Sequence, residues 1–130
     1  MGIAKTSACV ATLIALVFLP ALVVAEDNCF GQEVIIGSKH VVLNNDPSVP
    51  GFPKIGECTS MATSGSCSYI DQDGDEYTNE WKAVPGAIDQ YTWRTTGGTG
   101  KWAKVTESGW AKRVMARGGV TVNLWGGECR

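Results

Sequence analysis

Apolar and polar residues alternate through most of the segment from Cys67 to Trp110, and glycine-rich turns separate the alternating runs. A period of two is typical of β-strands that place one face against a core and the other in water. From Glu57 onward such runs recur roughly every 8–12 residues, the spacing of all-β sandwiches and barrels. After residue 25, no segment sustains a helical period for more than a turn or two. The pattern therefore predicts a small antiparallel all-β domain.

The first part of this domain is predicted to contain a strand pair and a loop. Two apolar runs, Val34–Ile36 and Val41–Leu43, flank Gly37 and Ser38, which indicates a hairpin or a strand followed by a bend. The segment Asn44–Pro53 holds three prolines, and each removes a backbone donor, so no regular element is expected there. This loop is either a plain connection or a lid over one mouth of the fold.

A second hairpin is predicted around Asp73-Gly74, because both residues readily adopt the positive φ angles of a type I′ turn. Pairing across that turn places Ile70 opposite Tyr77 and Ser66 opposite Trp81. Since side chains alternate along a strand, Tyr77 and Trp81 share one face, and we expect that face to meet the core.

Two later strands continue the pattern. In the run 88–95, Tyr91 and Trp93 lie on one side and polar residues on the other. The last predicted strand is Val120–Trp125. Its apolar face is predicted to consist of Val120, Val122 and Leu124.

Residues 1–25 read as a secretory signal peptide. A short polar start is followed by the apolar run Ala8–Leu19 and by small residues that suit cleavage after Ala25. The alternative is an uncleaved membrane anchor, although Pro20 interrupts the run. We expect a single β-domain at residues 26–130 that is secreted or periplasmic, with no stable membrane insertion once the signal is removed.

Four cysteines fall in the expected mature chain: Cys29, Cys58, Cys67 and Cys129. An even number in an exported protein indicates disulfides. Three pairings are possible, and we favour Cys58 with Cys67 across a short connection and Cys29 with Cys129 between the two ends. A zinc site is the alternative, but the cysteine spacing does not fit one and His40 is the only histidine.

The sequence fits neither nucleic-acid binding nor a phosphate-binding loop. The chain has 11 basic and 13 acidic residues, scattered along it, whereas nucleic-acid binding requires a basic stripe. The segment Gly98–Lys101 resembles part of a phosphate-binding loop, but that motif requires a glycine at Thr95 and a serine or threonine at Trp102. The glycines are better explained by a tight turn.

Alternating carboxylates suggest a calcium loop at Asp71, Asp73 and Asp75. The EF-hand register then requires glycine at Glu76 and a bidentate glutamate at Lys82, so it fails. We expect a solvated hairpin end here, and no metal or other cofactor.

Several of these motifs together resemble a known family. The segment Cys67–Asp75, Trp81, the turn Gly98–Trp102 and Gly109 are similar to bacterial, largely uncharacterised relatives of the allene oxide cyclase barrel. The similarity covers residues 57–125. It implies a closed, eight-stranded antiparallel β-barrel, akin to plant allene oxide cyclases and dirigent proteins, with a central cavity for an apolar small molecule. The catalytic carboxylate, asparagine and proline of the plant enzymes have no match here, so no catalytic residue is carried over.

Binding of a small apolar molecule is the leading functional hypothesis. The residues expected to line its cavity are Tyr77, Trp81, Tyr91 and Trp93. Filling of a packed core is the alternative role for these rings.

Two other functions remain open. A cyclase or isomerase needs an inward acid or base, for which Glu80, Glu107 and His40 are available; as a lone titratable group, His40 is expected to be structural or exposed. A secreted inhibitor or interaction module would use an exposed apolar segment, for which Val49–Pro53 is the best candidate. The oligomeric state is not indicated by the sequence.

Overall fold

Eight antiparallel strands form a closed barrel in the computed structural model, which describes residues 28–129. The strands are β1 (Cys29–Ile36), β2 (Lys39–Asn44), β3 (Lys54–Ser60), β4 (Ser64–Ile70), β5 (Glu76–Ala83), β6 (Gln90–Gly98), β7 (Ser108–Arg117) and β8 (Val120–Gly127). Each strand pairs with its neighbours in sequence, and β1 pairs with β8 to close the sheet. The predicted eight-stranded, all-β barrel is confirmed.

Helix is confined to one short turn in this part of the chain. The turn, Gly100–Trp102, lies between β6 and β7. Residues 28–129 therefore contain no candidate for a membrane-spanning helix. The predicted signal peptide lies outside the described residues.

The first hairpin forms as predicted, with Ile35 opposite His40 and the turn at Gly37 and Ser38. Both favoured disulfides are also present. Cys29 is bonded to Cys129, and Cys58 is bonded to Cys67 directly across β3 and β4. Two disulfides indicate an oxidising compartment outside the cytoplasm.

The predicted register of the second hairpin is wrong by one residue. Tyr69, not Ile70, lies opposite Tyr77. The connection is a five-residue loop in which the Asp71 carboxylate accepts the backbone N–H groups of Asp73 and Asp75, at 2.8 and 3.0 Å. This side-chain capping replaces the two-residue turn. The shift turns Tyr69 into the barrel and leaves Ile70 half exposed on the outside.

The predicted core face of the last strand is also wrong. In β8 the inward residues are Asn123 and Trp125, which are buried, whereas Leu124 is 38% exposed on the outer face. Val122 belongs to an apolar row that crosses the outer surface of six neighbouring strands. The row consists of Met115, Val122, Val34, Val41, Ile55 and Ile70. In this half of the barrel the apolar residues of each alternating strand lie on the outer surface, because the interior there carries polar groups.

The two ends of the barrel differ. At one end, here called the closed end, the loop 45–53 crosses the barrel and Gly51 packs on Trp102, which is 4% exposed. Gly51 has φ of +87°, and a Cβ there would lie 2.3 Å from the indole, so only glycine fits. The turns 37–38, 61–63, 84–89 and 118–119 lie at the opposite end, here called the mouth.

Candidate functional site

The barrel encloses a cavity of about 440 Å³. It extends from Phe52 and Lys54 near the closed end to Met61 and Arg113 near the mouth, where both lining residues are exposed. This volume lies within the ~300–1,000 Å³ range of small-molecule pockets. The barrel is therefore hollow, with the wall residues arranged around a space that is accessible from the mouth.

One wall of the cavity is aromatic. The four predicted ligand-binding residues, Tyr77, Trp81, Tyr91 and Trp93, all line it from β5 and β6. The rings of Trp81 and Tyr91 meet edge to face at 5.5 Å between centroids. Adjacent rings in this geometry stabilise one another and present a continuous apolar surface. The structure thus brings all four predicted residues to one cavity.

The opposite wall carries a hydrogen-bonded polar cluster built by β1, β2, β4 and β8. Its centre is the Glu33 carboxylate, which lies 2.5 Å from His40 Nδ1. The carboxylate also accepts hydrogen bonds from the Tyr69 hydroxyl at 3.1 Å and the Asn123 amide at 3.2 Å. Three donors around one partly buried carboxylate fix both its position and that of the imidazole. His40 is thus part of the cavity wall, with Glu33 as its partner.

The disulfide Cys58–Cys67 also lines the cavity, beside this polar cluster. Cys58 Sγ lies 3.5 Å from His40 Nδ1 and 3.6 Å from the Tyr69 hydroxyl. Glu33, His40 and Cys58 could converge on a metal ion, but a sulfur in a disulfide is not the thiolate that a metal requires. The oxidised protein has no adequate ligand set among these three residues.

Lys54 lies at the closed end of the cavity and is 3% exposed. Its ammonium nitrogen lies over three aromatic rings, at 3.5 Å from the centroid of Phe52, 4.2 Å from Trp102 and 4.7 Å from Tyr77. Each ring face attracts the cation.

Burial lowers the pKa of Lys54 to about 7, because the ammonium has lost most of its hydration. The negative charges of Glu107 and Asp71 act in the opposite direction, and the positive charge of Lys101 adds to the lowering. The amine is therefore neutral in a large fraction of molecules at neutral pH.

Burial acts on two phenols of the cavity in the opposite sense. It raises the pKa of Tyr77 to about 12. It also raises the pKa of Tyr69 well above its usual value, and the neighbouring Glu33 carboxylate adds to that effect. Both phenols stay protonated over the physiological range.

The acidic loop between β4 and β5 is neutralised by a lysine. Lys101 Nζ lies 2.5 Å from Asp71, 2.9 Å from Asp73 and 2.9 Å from Asp75. Asp71 also accepts a hydrogen bond from Trp102 Nε1 at 2.8 Å, and its side chain is fully buried. The predicted solvated hairpin end is therefore wrong for Asp71, and the two motifs that carry the family resemblance are in direct contact.

The pKa values of this cluster follow from the same contacts. Burial alone would raise the pKa of Asp71, but the hydrogen bonds from Lys101 and Trp102 bring it down to about 2. The hydrogen bonds to the three carboxylates raise the pKa of Lys101 above its usual range. The pair stays charged, and it fastens the short helical turn to the closed end of the barrel.

In the proline-rich segment Val49–Pro53, Val49 is half-buried and Pro50 is exposed. Gly51 is buried and Phe52 is half-buried. The Phe52 ring stacks on Trp125, with centroids 5.6 Å apart and planes 10° from parallel, and it lines the cavity. The loop therefore covers the closed end and supplies part of the cavity wall.

The three acid–base candidates have different places. His40 and Glu107 line the cavity, and Glu107 is 5% exposed. Glu80 instead forms an ion pair with Arg94, whose side chain is 67% exposed. Two of the three therefore face the interior.

Sequence reasoning missed Lys54, Glu33 and Asn123 as cavity residues. Each was missed because polar side chains of the strands were expected on the outer surface. A signal existed for Lys54, since a period of two along β3 places it on the same face as the predicted disulfide cysteine Cys58. No comparable signal identified Glu33, whose strand is more apolar on its outer face.

Comparisons with protein-family models, with curated proteins and with solved structures find no match to this chain. The resemblance to the allene oxide cyclase barrel therefore stays a prediction from turn motifs.

Proposed function

We propose that this protein is exported and binds a small, largely apolar molecule with a polar group in the barrel cavity. One observation carries the proposal: an aromatic wall from β5 and β6 faces a wall of hydrogen-bonded polar groups across a cavity of about 440 Å³. Ligand pockets typically combine a mainly apolar lining with a few fixed polar groups.

The two walls contact different parts of the ligand. The rings of Tyr77, Trp81, Tyr91 and Trp93 remove the apolar body of the ligand from water. The Glu33 and His40 pair offers hydrogen bonds to a hydroxyl or carbonyl group. An interior of this kind favours an amphipathic ligand over a pure hydrocarbon, because a hydrocarbon would leave the polar wall without partners.

A fluorescence titration with a matched pair of variants tests the binding site. Citronellol is optically transparent, and its binding should shift the tryptophan emission of the wild type until the site is saturated. Trp81→Leu removes a cavity ring and should weaken the affinity roughly tenfold, since about 1.4 kcal/mol corresponds to that factor. Trp110→Leu is the control, because Trp110 lies outside the cavity over Gly126 and its loss should leave the affinity unchanged.

The binding proposal fails if no probe in a panel of amphipathic alcohols gives a saturable shift. It also fails if Trp81→Leu and Trp110→Leu weaken binding equally, because the ligand would then not be in the barrel.

Acid–base catalysis is a second candidate function, favoured by the geometry of His40. The contact with Glu33 occupies Nδ1, and among the described residues no hydrogen bond to Nε2 is formed. A carboxylate that orients one imidazole nitrogen leaves the other to exchange a proton with a bound molecule. The activity expected from this arrangement is isomerisation or cyclisation of a flexible substrate through proton transfer.

Exchange of the α-protons of citronellal for solvent deuterium, followed by NMR, tests this candidate. The wild type should accelerate exchange, and both His40→Gln and Glu33→Gln should lower the exchange rate at saturating citronellal, where a weaker affinity no longer limits it. An exchange rate equal in the wild type and His40→Gln would exclude His40 as the base.

A further inference from the structure

Lys54 is a cavity group that neither proposed function uses. Its amine lies at the closed end, 3% exposed, and lines the same space as the aromatic wall. Three ring faces hold the nitrogen within 4.7 Å. Lysines are almost never this deeply buried in proteins, because burial of the ammonium is costly.

We propose that Lys54 is a covalent capture site for carbonyl compounds, at which its amine condenses with the aldehyde or ketone group of a ligand in the cavity. This inference rests on the proposed binding function, because the carbonyl compound must first enter the barrel. It specifies the ligand class as amphipathic aldehydes and ketones.

The condensation is balanced without any further reactant. The lone pair of the neutral Lys54 nitrogen attacks the carbonyl carbon, and a C–N bond forms as the C=O π pair moves to oxygen. A proton passes from nitrogen to that oxygen and gives a carbinolamine. The nitrogen lone pair then forms the C=N bond as the C–O bond breaks, and the oxygen leaves as water with the second nitrogen proton. The products are an imine and one water molecule.

The surroundings of Lys54 favour this reaction at neutral pH. Only the neutral amine is a nucleophile, and burial keeps the pKa of Lys54 at about 7. An amine of pKa about 10.4 is neutral in only about one molecule in 2,500 at pH 7. The charged or titratable groups that act on Lys54 are Glu107, Asp71, Lys101 and Tyr77.

Other lysines provide internal controls. Lys101 pairs with three carboxylates, and these contacts raise its pKa, so its amine stays protonated. Lys82, Lys104 and Lys112 are exposed on the surface. We therefore expect an adduct at Lys54 and much less adduct at each of these lysines.

Reductive trapping with citronellal tests the proposal. The full-length protein is incubated at pH 7 with citronellal and cyanoborohydride, which reduces an imine to a stable secondary amine, and the adduct is located by peptide mass spectrometry. We expect one adduct per chain, on Lys54, at least tenfold more abundant than on any other lysine. Lys54→Met and Lys54→Arg should both lose this adduct.

Citronellol, which has no carbonyl group, separates capture from binding. If citronellol binds and citronellal labels no lysine selectively, the imine proposal is overturned and the binding function stands. If neither compound binds, both proposals are overturned. Labelling that is spread evenly over surface lysines, or that persists at the same level in Lys54→Met, also overturns the capture site.

Discussion

Replacing Lys54 by methionine should make the protein more stable at neutral and mildly acidic pH. Methionine has a similar length and carries no charge, so the change removes the buried ammonium without opening a large cavity. A lysine whose pKa falls on folding opposes folding while it is protonated, because the unfolded chain binds its proton more tightly. The penalty is complete below the folded pKa of about 7 and fades as the pH rises towards the ordinary value of 10.5.

The magnitude follows from these two pKa values. At pH 6 the penalty is on the order of 5 kcal/mol, and at pH 9.5 it has fallen to roughly 1.5 kcal/mol. The stabilising effect of Lys54→Met should therefore shrink by about 3 kcal/mol between pH 6 and pH 9.5. This figure is an upper bound, because cation–π attraction of the ammonium, about 0.5–2 kcal/mol, acts against it.

Urea denaturation of both proteins from pH 6 to pH 9.5, followed by circular dichroism, measures this difference. The range ends below pH 10 because raised pKa values of Tyr69 and Tyr77 make unfolding easier once the unfolded phenols ionise. Equal m-values would show that the variant exposes the same surface on unfolding. A stability difference that does not change with pH would refute the conclusion that Lys54 loses its proton in the folded protein.

Three further outcomes follow from the closed end and the disulfides. Lys101→Met leaves the buried Asp71 carboxylate without its cation, so we expect a clear loss of stability in urea denaturation. Lys39→Met, at an exposed ion pair, should have a much smaller effect, and similar losses would contradict the assigned role. The low pKa of Asp71 stabilises the fold above the ordinary value of 3.8 and ceases to do so as the pH falls through about 2, so Asp71→Asn should flatten the acid limb of a stability profile. Replacing the Cys29–Cys129 bridge by alanines should cost about 5 kcal/mol and the Cys58–Cys67 bridge about 2.5 kcal/mol, because the closed loops span 100 and 9 residues; calorimetry showing the reverse order would count against this explanation.

The fold could be predicted from the sequence because turns and alternation repeat along most of it. The strands that carry Tyr77, Trp81, Tyr91 and Trp93 obey the simple rule that apolar side chains face the interior, so the aromatic wall was found. The disulfides followed from an even number of cysteines and from the short connection between Cys58 and Cys67.

The polar half of the site could not be predicted, because there the same rule fails. Along β8 the more apolar face, with Val122 and Leu124, is on the outside, and the cavity face carries Asn123. A hollow interior tolerates polar groups if they bond to one another, as Glu33, His40 and Asn123 do. Those bonds join residues up to 90 positions apart, and only the closed sheet brings them together.

The register of the second hairpin failed for a local reason. The dipeptide Asp73-Gly74 indicated a two-residue turn, but the carboxylate of Asp71 binds two backbone N–H groups and extends the loop. The same carboxylate also binds Lys101, which lies 30 residues away. A turn that depends on so distant a contact is not visible in its own sequence.

Lys101 supplies the acidic loop with a positive charge from the helical turn between β6 and β7. A calcium-binding loop changes conformation when the ion is removed, so its conformation depends on the calcium concentration. Here the positive charge is covalently part of the chain, and a chelator has nothing to withdraw from it. The closed end of the barrel should therefore keep its form whether or not calcium is present.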